Sequence, residues 1–174
     1  ERHTALIELT GIIEPKGTAN AEKMIESLQS AFKEKNVAGV IVRINSPGGS
    51  PVQAGLINDE IRRLRAKHPE TPLYAVVEDV CASGSYYVAV AADKIYVDKA
   101  SIVGSIGVLM DGFGFTGTME RLGVDRRLLT AGNNKGFLDP FSPPNPNQTA
   151  HAQVMLDGIH QQFIDVVKSG RGAR

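Results

Sequence analysis

The sequence predicts an α/β domain with a largely parallel β-sheet, and two features of the chain lead to that class. Short runs rich in β-branched and apolar residues alternate with segments whose apolar residues recur at helical spacing throughout the first half of the chain. One of these runs, AGVIVRI at 38–44, is almost continuously apolar, as expected for a strand buried on both faces of a sheet. The 174 residues suffice for one domain with a sizeable core.

The first two strands are predicted at 5–13 and 38–44, with a helix between them. Asn20 is positioned to cap that helix, because an asparagine side chain can accept a hydrogen bond from a backbone N–H of the first turn. The apolar stripe of the helix is predicted to comprise Met24, Ile25, Leu28, Ala31 and Phe32.

A second helix is predicted to begin after Ser50. That serine is a favourable N-cap, Pro51 suits the first turn, and Gln53 occupies the capping-box position. The inner face of this helix is predicted to comprise Ile57, Ile61 and Leu64.

The rest of the chain continues the alternation of strands and helices. Further strands are predicted at 73–79, 94–98, 106–110 and 124–130. A short apolar helix is predicted within 82–92. A Pro- and Asn-rich loop at 139–148 precedes a last amphipathic helix, which Gly170 is predicted to end. One face of that helix is predicted to comprise Met155, Ile159, Phe163 and Val166.

Composition excludes several classes of function. Basic and acidic residues balance at 19 each without a basic run, so no nucleic-acid-binding surface is expected. Cys81 is the sole cysteine of the sequence, which excludes an internal disulfide and a cysteine-based metal cluster. No histidine or acidic cluster has ligand spacing, so no metal or other cofactor is expected. GFGFTG at 112–117 matches G-x-G-x-x-G, but TMERL at 118–122 is barely more than a turn, which favours a flexible or oligomer-contacting loop over a dinucleotide site.

NSPGGS at 45–50 is the first of two unusual strand-to-helix turns. Gly48 and Gly49 can take backbone angles that are closed to other residues, which lets their N–H groups turn toward one point. No Gly-Lys-Ser/Thr follows, so the turn is not a phosphate loop. An ordinary glycine turn is the alternative interpretation.

CASGSYY at 81–87 is the second such turn. A strand leads to Ser83, which small residues flank at a helix start, where free backbone N–H groups favour negative charge. A nucleophile needs such donors, because its attack on a carbonyl creates an oxyanion. Small neighbours also leave room for a substrate backbone. The alternative is that Ser83 simply caps the helix.

A serine nucleophile requires a base, and the four histidines do not lie in turns suited to that role. Two are near element ends and two face different sides of the last helix; they are His3, His68, His151 and His160.

Lys135 is the remaining candidate for the base, because it lies in the turn-rich AGNNKGF at 131–137. A lysine acts as a base only if its pKa falls from about 10.4 toward neutrality, which requires burial away from carboxylates. Phe137 and Leu138 could supply that burial, although Asp139 is a nearby carboxylate. A solvated loop lysine is the alternative.

The motifs NSPGGS, ASGSYY, GSIGV at 104–108 and the glycine-preceded Lys135, taken in this order, resemble the signal peptide peptidase A (SppA) or protease IV family of bacterial serine peptidases, of the S49 type. The resemblance covers nearly the whole chain, and the ordered set is far more specific than any single motif. It implies a crotonase/ClpP-like α/β superhelix of strand-strand-helix units with a largely parallel sheet. It also implies a serine endopeptidase that degrades released signal peptides and other hydrophobic or unfolded peptides through an acyl-enzyme.

Residue by residue, the resemblance implies a Ser–Lys dyad with Ser83 as nucleophile and Lys135 as general base. It places Ser105 on a serine that helps to hold the lysine. The oxyanion hole is implied to comprise Gly48, Gly49 and Gly84.

The resemblance further implies a membrane-anchored protein and a ring- or dome-shaped homo-oligomer. The chain opens at Glu1 without a methionine, so we expect residues 1–174 to be a single catalytic domain whose N-terminal anchor and C-terminal segment are missing. The expected location is the bacterial cytoplasmic membrane, with the catalytic domain on its outer side. In short members of the family one site draws its serine and lysine from neighbouring subunits, so Lys135 is expected to reach a neighbour's Ser83.

Two residues depart from the family's usual Ala-Ala-Ser-Gly-Gly, namely Cys81 and Ser85. Cys81 is predicted to be a small buried packing residue with an inert thiol. Ser85 is predicted to add a side chain near the cleft and to narrow a subsite. Two other functions stay open: a crotonase-type acyl-CoA enzyme, which uses no serine nucleophile, and a catalytically silent scaffold of the same fold.

Overall fold

The structure is a computed structural model that describes residues 1–172. The chain divides into two compact units. The first unit contains Glu1–Gly107 together with the described residues from Gln162 onward, and the second unit is Val108–Gln161. Each unit is presented separately below.

The first unit contains a parallel sheet, which comprises five strands within the described residues. They are β1 (His3–Thr10), β2 (Val37–Ser46), β3 (Leu73–Ala82), β4 (Lys94–Tyr96) and β5 (Ile102–Gly104). β1 pairs with β2 and β2 with β3, while β4 and β5 pair with the beginning and the end of β3, all in parallel. The α/β class with a mostly parallel sheet is therefore confirmed.

A helix connects each of the first three strands to the next along the chain. These helices are α1 (Ala21–Lys33), α2 (Pro51–Lys67) and the short α3 (Gly84–Ala89). Both predicted N-caps are confirmed. Asn20 Oδ1 accepts the Lys23 N–H at 2.9 Å, and Ser50 Oγ accepts the Gln53 N–H at 3.3 Å. The second half of the predicted capping box is wrong, because Gln53 Oε1 accepts the Ala21 N–H at 2.8 Å and so links the starts of two helices.

The core of the first unit lies where α1 and α2 pack against each other and against the sheet. Its largest fully buried side chains come from β1 and the segment after it, β2, both helices and β3. They include Leu9, Ile13, Leu28, Ile44, Ile57, Ile61 and Leu73. The predicted inner face of α2 is confirmed, as is the stripe of α1 except for Ile25, which is only partly buried.

Two strand predictions are wrong. The segment 106–110 is irregular, and the fifth strand is Ile102–Gly104 instead, because positive φ angles at Gly104 (117°) and Ser105 (57°) turn the backbone out of extended geometry. The segment 124–130 also has no strand structure. Its apolar Leu129 is 97% exposed, so the pattern that predicted burial in a sheet does not correspond to a core within this chain.

The remaining helices are α4 (Thr116–Arg121) and α5 (Pro146–Arg171). The predicted face of α5 is partly correct, because Phe163 is buried against Tyr87 whereas Met155 is exposed. Gly170 does not end α5. A Cβ at this position would lie 2.2 Å from the Val90 carbonyl oxygen, so this glycine permits close packing of the helix rather than stopping it. Among the described residues, none of the helices has the length and apolar character needed to cross a membrane.

Candidate active site

Ser83 stands between the end of β3 and the start of α3 in a strained backbone conformation. Its φ and ψ are 53° and −122°, a region that costs a residue with a Cβ roughly 1–3 kcal/mol. Two backbone hydrogen bonds hold it there: the Ser83 N–H donates to Gly104 O at 2.8 Å, and the Ser83 carbonyl accepts the Tyr87 N–H at 3.0 Å. Ser83 therefore occupies the N-cap position of α3, but its side chain makes no capping hydrogen bond.

The twin-glycine turn packs directly against this serine. Gly48 has a φ of 97°, and a Cβ built on it would lie 2.9 Å from Ser83 Cβ and 2.6 Å from Gly84 N. Gly49 has a φ of 150°, and its Cβ would lie 2.1 Å from Ile13 O. A residue with a Cβ would therefore be disfavoured at both positions, because neighbouring atoms lie too close and because φ is positive. Only the family resemblance implied that this turn lies beside Ser83. In the structure the turn contacts Ser83.

Ile13 holds the twin-glycine turn from the other side. Its N–H donates to Gly48 O at 2.8 Å, and its carbonyl accepts the Ser50 N–H at 2.8 Å. The sequence assigned Ile13 to the end of the first strand and missed this role. Gly11, with a φ of 86°, ends that strand early and so frees Ile13 to bridge the turn.

Two backbone amides beside Ser83 are left without an acceptor in the described part of the chain: those of Gly49 and Gly84. The Gly49 nitrogen lies 3.3 Å from the position that a Cβ on Gly84 would occupy, so the two groups are neighbours. The Gly48 N–H is differently engaged, because it donates to Ser46 Oγ at 3.2 Å. Paired unsatisfied N–H groups next to a hydroxyl are suited to stabilising an oxyanion.

Cys81 and Ser85, the two residues that depart from the family's usual motif, are both buried beside Ser83. Cys81 is buried as predicted, and burial raises the pKa of its thiol to about 11, opposed by a hydrogen bond with Ser85. The prediction for Ser85 is wrong. Its side chain does not face a cleft, because the residue is fully buried and its hydroxyl lies 2.7 Å from Ser46 O and 2.8 Å from Ala82 O.

Ser105 follows β5, whose last residue, Gly104, pairs with Ala82 and accepts the Ser83 N–H. The structure therefore brings the backbone of Ser105 to the neighbourhood of Ser83. Its positive φ of 57° redirects the chain at this point.

Lys135 belongs to the second unit, in the turn at 131–138. Its N–H donates to Gly132 O at 3.2 Å, and the residue is exposed. Phe137 and Leu138 are themselves 36% and 40% exposed, so within the single chain they do not supply the burial that was expected. The same turn lines a groove of about 740 Å³ whose apolar lining includes Met110, Phe113, Leu128, Leu138 and Leu156.

Asp139, the carboxylate next to this turn, is occupied by other partners. It forms an ion pair with Arg126, accepts the Ser142 hydroxyl at 2.7 Å and accepts the Phe141 N–H at 3.1 Å. The side-chain hydrogen bond from Arg126, followed by those from Ser142 and the Phe141 backbone, lowers the pKa of Asp139 to about 2. Its negative charge is therefore already compensated.

We expect Arg126→Ala to raise the pKa of Asp139 toward, but not up to, the ordinary value, since Ser142 and the Phe141 N–H still donate. Because the native pKa is depressed, the stabilisation from this cluster is complete above the ordinary carboxyl pKa and is lost as pH falls toward 2. An NMR titration of the Asp139 carboxyl measures the shift. Arg127→Ala is the matched control and should leave the titration unchanged; an ordinary midpoint for Asp139 in the wild type would contradict the ion pair.

Gly49→Ala is expected to destabilise the first unit by about 3 kcal/mol, because it combines a positive φ with a backbone clash against Ile13. Gly55→Ala is the matched control. That glycine lies inside α2 with open space at its Cβ position, so alanine should be neutral or stabilising by up to about 1 kcal/mol. Urea unfolding of both variants measures the difference, and equal stabilities would show that the turn is not packed as described.

Residues 65–174 match the protein-family model described as Peptidase family S49. Over 166 residues the chain is 42% identical to a Brucella melitensis protein named Na(+)/H(+) antiporter NhaA, in a match that covers 95% of this chain and 22% of that protein. It is 28% identical over 173 residues to an Enterococcus faecium protein named as a candidate signal peptide peptidase SppA, covering 95% of this chain and 50% of the other.

A third relative is the chloroplastic serine protease SPPA of Arabidopsis thaliana, which is 34% identical over 152 residues. That match covers 87% of this chain and 22% of the plant protein. The chain thus spans half or less of the length of these three relatives. The antiporter name describes a whole protein of which this chain matches 22%.

Proposed function

Because this chain belongs to peptidase family S49, we propose that it is a serine endopeptidase in which Ser83 is the nucleophile and Lys135 the general base. One observation carries the proposal: Ser83 is held in a strained turn beside two backbone amides, those of Gly49 and Gly84, that have no acceptor among the described residues. Strain of this kind persists where the surrounding structure fixes it, and it clusters at active sites.

In the proposed reaction the neutral amine of Lys135 takes the proton from Ser83 Oγ as the oxygen attacks the peptide carbonyl. The N–H groups of Gly49 and Gly84 stabilise the oxyanion. The C–N bond then breaks, the lysine ammonium returns its proton to the leaving amine, and an acyl-enzyme remains on Ser83. Water, deprotonated by the same lysine, attacks the ester; the bond between the acyl carbon and Ser83 Oγ breaks, the lysine ammonium returns its proton to Ser83 Oγ, and the carboxylic acid product leaves.

Two further residues receive supporting roles in this proposal. Gly48 shapes the oxyanion turn, since its lack of a side chain allows the approach to Ser83 while its own N–H is engaged by Ser46. Ser105, next to the strand residue that holds the Ser83 backbone, helps to orient the incoming lysine.

We propose that the active form is a homo-oligomer in which Lys135 serves a neighbour's Ser83. A lysine acts as a base near neutral pH only when it is withdrawn from water, and Lys135 is exposed within its own chain. The second unit also exposes large apolar side chains, including Leu109 at 80% and Phe113 at 79%. Exposed apolar surface of this kind is typical of interaction sites.

The proposed substrates are released signal peptides and other hydrophobic or unfolded peptides. The name of the Enterococcus relative supports this class, as do the large apolar side chains in the otherwise mixed lining of the groove beside the Lys135 turn. By the same family resemblance we propose a place at the bacterial cytoplasmic membrane, with this domain on the outer side and an anchor outside the present sequence.

A serine-directed fluorophosphonate tests the proposal directly. We expect it to modify the protein once per chain, and mass spectrometry should assign the label to the peptide that contains Ser83. Hydrolysis of an unfolded model peptide should be lost in parallel with labelling. Labelling at another residue would show that Ser83 is not the nucleophile. Absence of labelling and hydrolysis together with coenzyme A binding would favour an acyl-CoA enzyme, and absence of all three a silent scaffold.

A further inference from the structure

Ser85 joins the two turns that make up the site. Its hydroxyl lies 2.7 Å from the carbonyl of Ser46, at the end of β2, and 2.8 Å from the carbonyl of Ala82, at the end of β3. Ser46 and Ser85 are both completely buried. The contact therefore spans 39 residues of sequence and is shielded from water.

The position of this contact coincides with an irregularity in the sheet. The β2–β3 register runs regularly as far as Ile44, shifts, and resumes with Ser46 opposite Cys81. A register shift leaves the ladder locally disrupted, just before both strands enter the turns of the site. The Ser85 hydroxyl supplies a hydrogen bond between the two segments at that point.

We propose that Ser85 is a positioning residue that sets the distance between the two amides of the oxyanion hole. Ala82 and Ser85 flank Ser83 and Gly84, so the contact between the Ser85 hydroxyl and the Ala82 carbonyl closes the short segment that carries the Gly84 amide. Ser46 also binds the Gly48 N–H through its own hydroxyl, so fixing Ser46 restrains the turn that carries the second amide, that of Gly49.

This inference rests on the proposed peptidase function, because it assigns a role within that site. Ser85 is fully buried and so acts through the two turns rather than on the substrate. Oxyanion donors contribute only when they are aligned with the developing charge, and small displacements of catalytic groups cost large factors in rate. Loss of the hydroxyl should therefore affect the chemical step more than substrate binding.

The test compares Ser85→Ala with Ser101→Ala. Ser101 is a matched control, because its hydroxyl also donates to a carbonyl of β3, that of Glu78, at 2.6 Å, but lies outside the two turns. We expect Ser85→Ala to lower kcat about tenfold with KM changed less than about twofold, and to slow fluorophosphonate labelling of Ser83 similarly. Ser101→Ala should leave all three values unchanged at temperatures where both variants are folded.

Hydrogen–deuterium exchange provides a readout that does not depend on activity. Ser85→Ala should accelerate exchange in the 45–50 turn as well as in its own, whereas Ser101→Ala should not. The inference is overturned if Ser85→Ala keeps a wild-type kcat, or if exchange at 45–50 is unchanged. A wild-type protein that neither cleaves peptides nor labels at Ser83 would instead overturn the proposed function, while the exchange result still decides whether Ser85 couples the two turns.

Discussion

Ser83→Ala is expected to reduce peptide hydrolysis by about 10³-fold or more and to abolish labelling by a serine-directed fluorophosphonate. The change removes the only atom that forms the acyl-enzyme in the proposed reaction. The fold should survive, because the Ser83 side chain makes no capping hydrogen bond and the turn is held by its backbone contacts with Gly104 and Tyr87. Initial rates on an unfolded peptide, with circular dichroism to verify folding, provide the measurement.

Ser83→Gly extends this experiment to the strain in the turn. Both variants lack the hydroxyl, but alanine keeps a Cβ at a φ of 53° and glycine does not. We expect the glycine variant to be more stable than the alanine variant by about 1 kcal/mol, despite the larger entropy of glycine in the unfolded chain. Urea unfolding with equal m-values measures the difference. A wild-type rate in either variant would exclude Ser83 as nucleophile, and a less stable glycine variant would exclude the strain.

Local rules predicted much of the first unit because the relevant contacts are close in sequence. Asn20 and Ser50 each bond an N–H three residues ahead, so the residue type and its place before an apolar stripe identify the cap. Cys81 was likewise predictable as buried, since it lies near the end of a strand and small or apolar residues flank it.

The wrong strand predictions have a common physical cause. An apolar pattern indicates that a surface is to be covered, but it does not say by what. Leu129 in 124–130 and Leu109 in 106–110 have the pattern of core residues and yet are exposed in the isolated chain. The apolar pattern therefore identifies these segments as apolar surface correctly, but the prediction that they are strands buried in the sheet is wrong.

The side chains whose roles were predicted wrongly form hydrogen bonds with residues that are distant in the sequence. Gln53 reaches Ala21 across 32 residues, and Ser85 reaches Ser46 across 39. Neither partner is implied by spacing, because each depends on how strands and helices are brought together. The turn at Ser83 is intermediate: its small residues and its place between strand and helix were visible, but its positive φ and the free amides beside it were not.

Mixing two inactive variants is expected to restore activity. Ser83→Ala and Lys135→Ala should each lose about 10³-fold in rate when tested alone. If each site takes its serine from one subunit and its lysine from the next, co-assembly in equal amounts leaves about one quarter of the sites with both groups intact. The mixture should then recover roughly one quarter of the wild-type rate. Rates are measured after joint refolding, with native mass spectrometry to verify mixed oligomers.

The control is a mixture of Ser83→Ala with the double variant Ser83→Ala/Lys135→Ala, which contains no intact serine and should stay inactive. A verified mixed oligomer without recovered activity would place both groups of a site in one subunit. Activity of Lys135→Ala alone would exclude this lysine as the base. The expected result follows from solvation: Lys135 is exposed in its own chain, and burial is what lets a lysine act as a base near neutral pH. Only a covering surface, such as that of a neighbouring subunit, would allow it to accept the serine proton.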